Sequence, residues 1–154
     1  MAVSYNNKTI AENRKARYDY FIEDTYEAGI ALKGTEVKSL RLGRGNLKDS
    51  YALIKKGELF VYQIHIGPYP FAYHDNHKPL RARKLLMHKS EIKKLTSKVN
   101  ERGMSLIPIK MYFKDQLVKV TLALAKGKRK YDKRETIRRR DEKRDLEKEN
   151  RLRF

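Results

Sequence analysis

The sequence contains no cysteine and no tryptophan, and it has no long run of apolar residues. Without cysteine the chain cannot form disulfides, thiolate zinc sites or cysteine nucleophiles. No segment approaches the roughly 18 to 20 apolar residues that span a bilayer, and none has the apolar region of a signal peptide. We therefore expect a cytoplasmic protein that makes no use of a membrane.

Motifs of enzymes are also missing. The Gly-Arg-Gly of residues 43–45 lacks the remaining spacing of either nucleotide-binding loop. His74 and His77 are the only histidines close together, and they would make at most a weak metal site. Three acids lie within residues 23–27, but acids near lysines usually form solvated ion pairs. These features predict a protein that is not an enzyme and has no metal or cofactor.

Positive charge is abundant. The chain has 37 Lys and Arg against 19 Asp and Glu, a formal net charge of +18. Such a charge attracts partners that carry phosphate. Ten Tyr and five Phe accompany it, and aromatic rings can stack on unpaired bases while cations hold the phosphates. We expect RNA as the partner, although for any single ring a place in a β-rich core is the more usual explanation.

The composition divides the chain at Lys126-Gly127. Residues 126–154 hold 14 basic and 7 acidic residues, and their few scattered apolar residues cannot form a core. We predict a domain over 1–125 and a basic tail over 126–154 that is disordered when free. The tail has acid-first pairs at i,i+4 spacing, such as Glu135 and Arg139, so it should become helical on an RNA surface. A charged tail that only aids solubility remains the alternative.

Short strands dominate the predicted domain, because aromatic and β-branched residues recur in runs bounded by turn residues. We predict strands over 18–25, 27–32, 50–55, 58–66, 105–113 and 116–125, helices over 35–42 and 90–102, and a long loop over 71–83. Lys56-Gly57 fits a hairpin turn, and Gly43 and Gly103 are placed to end the helices. The elements do not alternate as βαβ units, which favours a mainly β fold built on an antiparallel barrel.

Seven short motifs, in order and closely spaced, carry a resemblance to a known family. They are NRKARY (13–18), YEAGI (26–30), KGTEVKSLR (33–41), DSY (49–51), RKLL (83–86), AKGK (125–128) and YDKR (131–134). In these motifs the chain resembles the SsrA-binding proteins (small protein B, SmpB) over nearly its whole length. The resemblance implies an OB-like antiparallel β-barrel with two or three peripheral helices, in agreement with the strand pattern.

The resemblance also implies a partner, transfer-messenger RNA (tmRNA, SsrA), and a role in trans-translation, the rescue of stalled ribosomes. The barrel would bind the tRNA-like domain at its D-loop elbow, with Asn13, Glu27 and Leu86 at the contact. Cations nearby would hold phosphates, and we assign this role to Lys15, Arg17, Lys33, Lys38, Arg41, Arg83 and Lys84. A carboxylate repels phosphate, so Glu27 should accept from a base edge or orient an arginine. Without the resemblance, an exposed ion pair is the simpler interpretation of Glu27.

For the tail, the resemblance implies entry into the decoding centre of the small ribosomal subunit and into the empty mRNA channel. The residues expected there are Lys128, Tyr131, Asp132, Lys133, Arg134, Arg138 and Arg139. Tyr131 occupies a position that is often His in the family, and both rings can stack on a base. The roles of residues 146–154 stay open. We expect the protein to be a monomer.

Other functions remain open at this point. An OB-type ribosomal protein or a general RNA-binding protein shares the basic barrel and arm, but a ribosomal protein should stay on purified subunits at high salt. An architectural factor for double-stranded DNA should bind duplex DNA and folded RNA comparably at matched salt. A protein whose tail serves only solubility should bind neither.

Overall fold

A computed structural model gives the structure of the chain and describes residues 8–152. Within that range its elements follow the order β1 (Thr9–Glu12), α1 (Arg14–Asp19), β2 (Tyr20–Ile30), α2 (Gly34–Arg41), β3 (Gly45–Asn46), β4 (Tyr51–Lys55), β5 (Glu58–Tyr62), β6 (His65–Ile66), β7 (Arg83–Leu86), α3 (Lys89–Arg102), β8 (Ser105–Lys114), β9 (Leu117–Gly127) and α4 (Lys130–Leu152). The predicted mainly β fold is confirmed. None of the described helices combines the length and the apolar character needed to cross a bilayer.

The large sheet closes on itself. Its strands pair in the order β1-β8-β4-β5-β7-β2-β9, and a further pairing of β8 with β9 completes the ring. Every pairing in it is antiparallel. One edge of β8 is shared, because β1 pairs near Tyr112 while β4 joins it only through Ala52 and Leu106. The result is the expected OB-like barrel, with α1, α2 and α3 at its periphery.

Side chains that alternate along the strands fill the barrel. Four residues of β9 are buried in the barrel: Val118, Val120, Leu122 and Leu124. The residues that alternate with the first of them, 117, 119 and 121, face outward. Removing each such apolar side chain from water contributes about 1.5 to 3 kcal/mol. The alternation ends at residues 122–125, all of which are buried, because α1 covers the outer face of the sheet there.

The strand predicted over 18–25 is wrong at its start, since Tyr18 and Asp19 belong to α1. The helix begins because the Asn13 side chain accepts a hydrogen bond from the Ala16 N–H at 3.2 Å, which satisfies one of the free donors of the first turn. Ala16 is then buried on Ile107 and Ile109, and this apolar contact stabilises a helix of only six residues. Tertiary packing therefore decides this element.

The strand predicted over 58–66 is split. It ends as β5 at Tyr62, and Gln63 then adopts a positive φ of 65°. The chain turns there, so that His65 and Ile66 pair as β6 with Asn46 and Gly45 instead of continuing along β4. The turn at Lys56-Gly57 and the helix end at Gly103, which is left-handed, are as predicted.

The tail has the helical form that we expected on an RNA surface. β9 continues to Gly127, two residues past the predicted boundary at 125, and α4 begins at Lys130. Its first turns lie against α1, where the Lys133 ammonium is 3.2 Å from the Asp19 carboxylate. From Arg138 to Leu152 every side chain is exposed. That the segment is disordered in the free protein stays a prediction.

Candidate RNA-binding interface

A polar and cationic surface covers the outer face of β2, β9 and β8. Pairing places Glu27 opposite Thr121, and Thr121 in turn opposite Lys110. Lys119 lies opposite both Gly29 and Tyr112 in the next row. Leu86 of β7 adjoins Gly29 on the other side. We define the Glu27 face as Glu27, Leu86, Lys110, Tyr112, Lys114 and Lys119.

The Glu27 carboxylate accepts hydrogen bonds from one hydroxyl group and one ammonium group. The Tyr112 hydroxyl donates a hydrogen bond to one oxygen, and the Lys114 ammonium lies 3.2 Å from the other. The Tyr112 hydrogen bond, with a smaller contribution from Lys114, lowers the pKa of Glu27 below its usual 4.5, against a weaker opposing effect of burial. The side chain is 42% exposed. The structure therefore has the exposed ion pair, and the anionic carboxylate keeps lone pairs that can accept from a ligand.

Leu86 places an apolar side chain among these cations. It is 53% exposed, and the absence of a side chain at Gly29 leaves room for it. A Cβ added to Gly29 would lie 3.3 Å from the Leu86 Cβ and 3.7 Å from the Lys119 ammonium. The Leu86 side chain and the Lys119 ammonium therefore both lie close to the backbone of Gly29. An apolar group beside a cation can cover a base while the cation holds its phosphate.

Lys84 and Arg83 are neighbours in sequence but face opposite sides of β7. Lys84 is exposed and lies 3.3 Å from the Glu58 carboxylate, an ion pair on the outer surface. Arg83 is fully buried and its guanidinium pairs with Glu36, while it also donates to the carbonyl oxygens of Ile64 and Pro79 at 2.7 and 3.1 Å. The prediction that Arg83 holds an RNA phosphate is therefore wrong, because this side chain belongs to the interior.

Glu36 connects Arg83 to helix α2. Burial acts to raise the pKa of this carboxyl, but hydrogen bonds from Arg81, the Lys33 N–H and Arg83 outweigh it and hold the pKa below 4.5. The Arg81 guanidinium and the Lys33 N–H lie 2.5 and 2.8 Å from the same oxygen. Glu36 thereby fixes the first turn of α2 against the loop that precedes β7.

The three predicted cations around α2 all project into solvent. Lys33, Lys38 and Arg41 are exposed, and the Lys38 ammonium lies 5.7 Å from the centre of the Tyr69 ring. The opposite side of the helix is held by Ser39, whose hydroxyl donates to the Gly67 carbonyl at 2.5 Å. These cations are presented by a helix that is anchored on its inner side.

Asn13 is held within the protein. Besides capping α1, its amide nitrogen donates to the carbonyl oxygens of Leu47 and Pro108, both at 3.3 Å. Both amide hydrogens are thus used, and the side chain is partly buried. Its role in this structure is to position α1, from which Lys15 and Arg17 project as exposed cations. A direct contact of Asn13 with RNA stays a prediction.

The predicted tail residues divide into an anchored pair and an exposed set. The Lys128 ammonium donates to the Arg17 carbonyl at 3.2 Å and to the Thr136 hydroxyl at 2.9 Å, and Lys133 pairs with Asp19. Exposed on α4 are Arg134, Arg138 and Arg139, of which Arg138 and Arg139 pair with Glu142 and Glu135. The side chains of Tyr131 and Asp132 lie outside the described part of the structure.

Sequence reasoning missed the contribution of β8 and β9 to the Glu27 face. Lys110, Tyr112 and Lys114 stand at alternate positions, as do Lys119 and Thr121. That spacing directs them to one face of a sheet and was available from the strands themselves. The long-range pairing that places them beside Glu27 was not.

The family model of the SmpB protein matches residues 10–152. The chain belongs to the SmpB family. Among relatives named SsrA-binding protein, that of Carboxydothermus hydrogenoformans is 58% identical over 147 residues, 96% of this chain and 99% of the relative. That of Geobacter metallireducens is 56% identical over 139 residues, 90% and 91% of the two chains. The Bacillus subtilis relative is 54% identical over 142 residues, 92% and 91% of the two chains.

The fold of this SmpB-family chain also agrees with a solved structure. A chain from a study of tmRNA–SmpB at the centre of the bacterial ribosome superposes with a TM-score of 0.66. The two are 49% identical, and the match covers 83% of this chain and 94% of the solved one. The resemblance drawn from the seven short motifs is thereby confirmed.

Proposed function

We propose that this protein binds the tRNA-like domain of tmRNA through the Glu27 face and delivers the RNA to stalled ribosomes for trans-translation. It is an RNA-binding factor and not an enzyme. One observation carries the proposal: a carboxylate, an apolar side chain and several ammonium groups share one exposed sheet face, in a chain whose relatives are SsrA-binding proteins.

The chemistry of the face suits a folded RNA elbow. Such elbows expose unstacked bases, which polar groups can read at their edges and apolar groups can cover. Glu27 accepts from a base edge, Leu86 covers a base, and Lys119 holds an adjacent phosphate. The exposed cations of α1 and α2 extend the phosphate contacts on either side.

The tail helix has a second task in this proposal. It enters the decoding centre of the small subunit and the mRNA channel, and it fits only when no message is present. Three properties support this assignment: α4 spans 23 residues, or about 35 Å at 1.5 Å per residue, it is exposed on all sides from Arg138 onward, and it carries ten Lys and Arg against seven Asp and Glu. Lys128 and Lys133 anchor its base on α1, and the arginines beyond them contact ribosomal RNA.

Charge reversal at Glu27 tests the RNA face. Removing a negative charge should tighten non-specific binding to RNA, because attraction to phosphate grows with net positive charge. Recognition of a base edge predicts the opposite, a loss of affinity of about 5- to 150-fold in Glu27→Lys, since one specific contact contributes about 1 to 3 kcal/mol. The measurement is the Kd for the tRNA-like domain at fixed salt.

Glu101→Lys is the matched control, with the same charge change at an exposed position of α3. It should bind the RNA as tightly as the parent or slightly more tightly. If Glu27→Lys behaves like Glu101→Lys, Glu27 has no part in recognition and the proposed face is wrong.

Truncation after Gly127 tests whether the barrel and the tail have separate roles. Since β9 ends at that residue and the Glu27 face lies entirely before it, the truncated protein should still bind the tRNA-like domain in preference to an RNA hairpin of equal length. It should fail to support tagging of stalled ribosomes in a reconstituted translation reaction. Release of the RNA by the truncation would contradict a separate role for the tail.

A further inference from the structure

A cationic cleft lies between α1 and α4, next to the Glu27 face. It encloses about 760 Å³. Its cations come from three elements: Arg14 and Arg17 of α1, Lys110 of β8 and Arg140 of α4. Glu12 is the acid that lines it, so the lining carries a formal charge of +3. Lys110 belongs also to the Glu27 face, which makes the two surfaces continuous.

The three guanidinium groups of this cleft have no partner among the described side chains. Within residues 8–152, no hydrogen bond, ion pair or ring contact engages the side chains of Arg14, Arg17 or Arg140. This contrasts with Arg138 and Arg139 on the same helix, which pair with glutamates. Four like charges that face one cleft with a single acid repel one another, so the arrangement favours an anion that bridges them.

Arginine is the cation best suited to phosphate in such a place. Its planar fork donates two parallel hydrogen bonds to a phosphate, with geometric specificity that an ammonium lacks. Hydroxyl groups of Thr25 and Thr121 on the cleft floor add further donors. The four cations of the cleft carry more charge than one phosphate neutralises, and a nucleic acid backbone supplies several phosphates where a single small ion does not.

Helix α4 forms one wall of the cleft, so the cleft is complete only when α4 lies against α1. Thr136 and Arg140 line it, and they are one helical turn apart on one face. One turn earlier on that face, Lys133 pairs with Asp19 of α1 at 3.2 Å. The anchor and the cleft residues therefore share a single side of the tail helix.

We propose that this cleft binds a phosphodiester segment of RNA, and that the bound RNA and the docked helix α4 stabilise each other. The proposal rests on the proposed function in that the ligand is RNA. Because the site needs both walls, binding free energy gained in the cleft favours the docked tail, and by thermodynamic linkage a docked tail raises the affinity for RNA to the same extent. The RNA is either the tRNA-like domain or the RNA of the small subunit.

A double-mutant cycle across the cleft tests this proposal. Arg14→Gln and Arg140→Gln should each weaken binding about three- to tenfold and lower the slope of log affinity against log salt by about 1. Because both side chains contact one RNA segment, the combined effect should fall short of the product of the single effects by threefold or more. Both positions are exposed, and thermal unfolding checks that each variant is folded.

Arg144→Gln is the matched control. Arg144 is one turn beyond Arg140 on α4, is exposed, and does not line the cleft. Combined with Arg14→Gln, its effect on affinity should multiply to within about twofold, as expected for independent sites.

The cycle is run in two arms with the full-length chain: the isolated tRNA-like domain, and small ribosomal subunits without tmRNA. Coupling between Arg14 and Arg140 in either arm supports the proposal and identifies the RNA source. Multiplicative effects in both arms overturn it. Failure of the proposed function shows differently, because the unmodified protein would then not prefer the tRNA-like domain over an RNA hairpin of equal length.

Discussion

Loss of the Glu36 carboxylate should destabilise the barrel strongly. The structure buries Glu36 and Arg83 completely and pairs them, with Arg81 as a second partner of the same carboxylate. In Glu36→Gln the Arg83 charge stays in the interior without its counter-ion. Breaking a buried pair in this way typically costs about 3 to 5 kcal/mol.

The structure favours the lower end of that range. Arg83 keeps its hydrogen bonds to the carbonyl oxygens of Ile64 and Pro79, and glutamine can still accept from the Lys33 N–H that Glu36 now caps. We therefore expect a loss of about 3 kcal/mol in the free energy of unfolding. A domain of this size has about 5 to 15 kcal/mol in total, so the variant should remain folded but unfold at much lower urea.

Urea unfolding of the RNA-free protein, followed by far-UV circular dichroism, measures this loss. Glu58→Gln is the matched control, because Glu58 is half exposed and pairs with Lys84 on the surface, where an ion pair contributes about 0 to 1 kcal/mol. A loss in Glu36→Gln no larger than that in Glu58→Gln would refute the reasoning. It would also reopen the assignment of Arg83 to the interior.

Three further substitutions test other contacts of the structure. Asn13→Ala removes the cap of α1 and should lower the free energy of unfolding by about 0.5 to 2 kcal/mol, measured by urea titration; an unchanged midpoint would contradict the cap. Gly45→Ala brings a Cβ to 2.8 Å from the side-chain ends of Leu40 and Met111 and should lower the free energy of unfolding by about 1 to 3 kcal/mol through overpacking. Thermal unfolding measures this loss, and an unchanged melting temperature would show that the two side chains move aside without cost. The folded-state pKa of Glu27 is lowered from 4.5, so its stabilising effect is fully present above that pH and is lost as the pH falls through the lowered folded-state pKa. The difference in melting temperature between the parent and Glu27→Gln should therefore shrink on acidification, and a difference that stays constant across the acid range would contradict this linkage.

The parts of the fold that depend only on residues close together in sequence were predictable. The turn at Lys56-Gly57, the helix ended by Gly103 and the final hairpin all follow from turn residues and periodicity along one segment. Helix α1 did not follow, because a helix of only six residues is not stable alone and is held by the cap of Asn13 and by burial of Ala16 on β8 and β9. Such packing is visible only in three dimensions.

The candidate site shows the same limit at the level of side chains. Arg83 and Lys84 look alike in sequence, yet one is buried and the other is exposed. The reason is that Arg83 pairs with Glu36, which lies 47 residues earlier in the chain. No local sequence pattern predicts this pair. Similarly, the alternation of lysines on β8 predicts a charged face, but only the closure of the barrel places that face beside Glu27.

The central claim is that the barrel captures one tRNA-shaped RNA. Sequencing of the RNA that copurifies with the full-length protein from cells, after a wash at high salt, tests it most directly. We predict that a single species with a tRNA-like domain, tmRNA, dominates the reads, and that Glu27→Lys removes it while Glu101→Lys does not. A broad mixture of ribosomal RNA fragments in all three samples would contradict the account and favour a ribosomal or general RNA-binding protein.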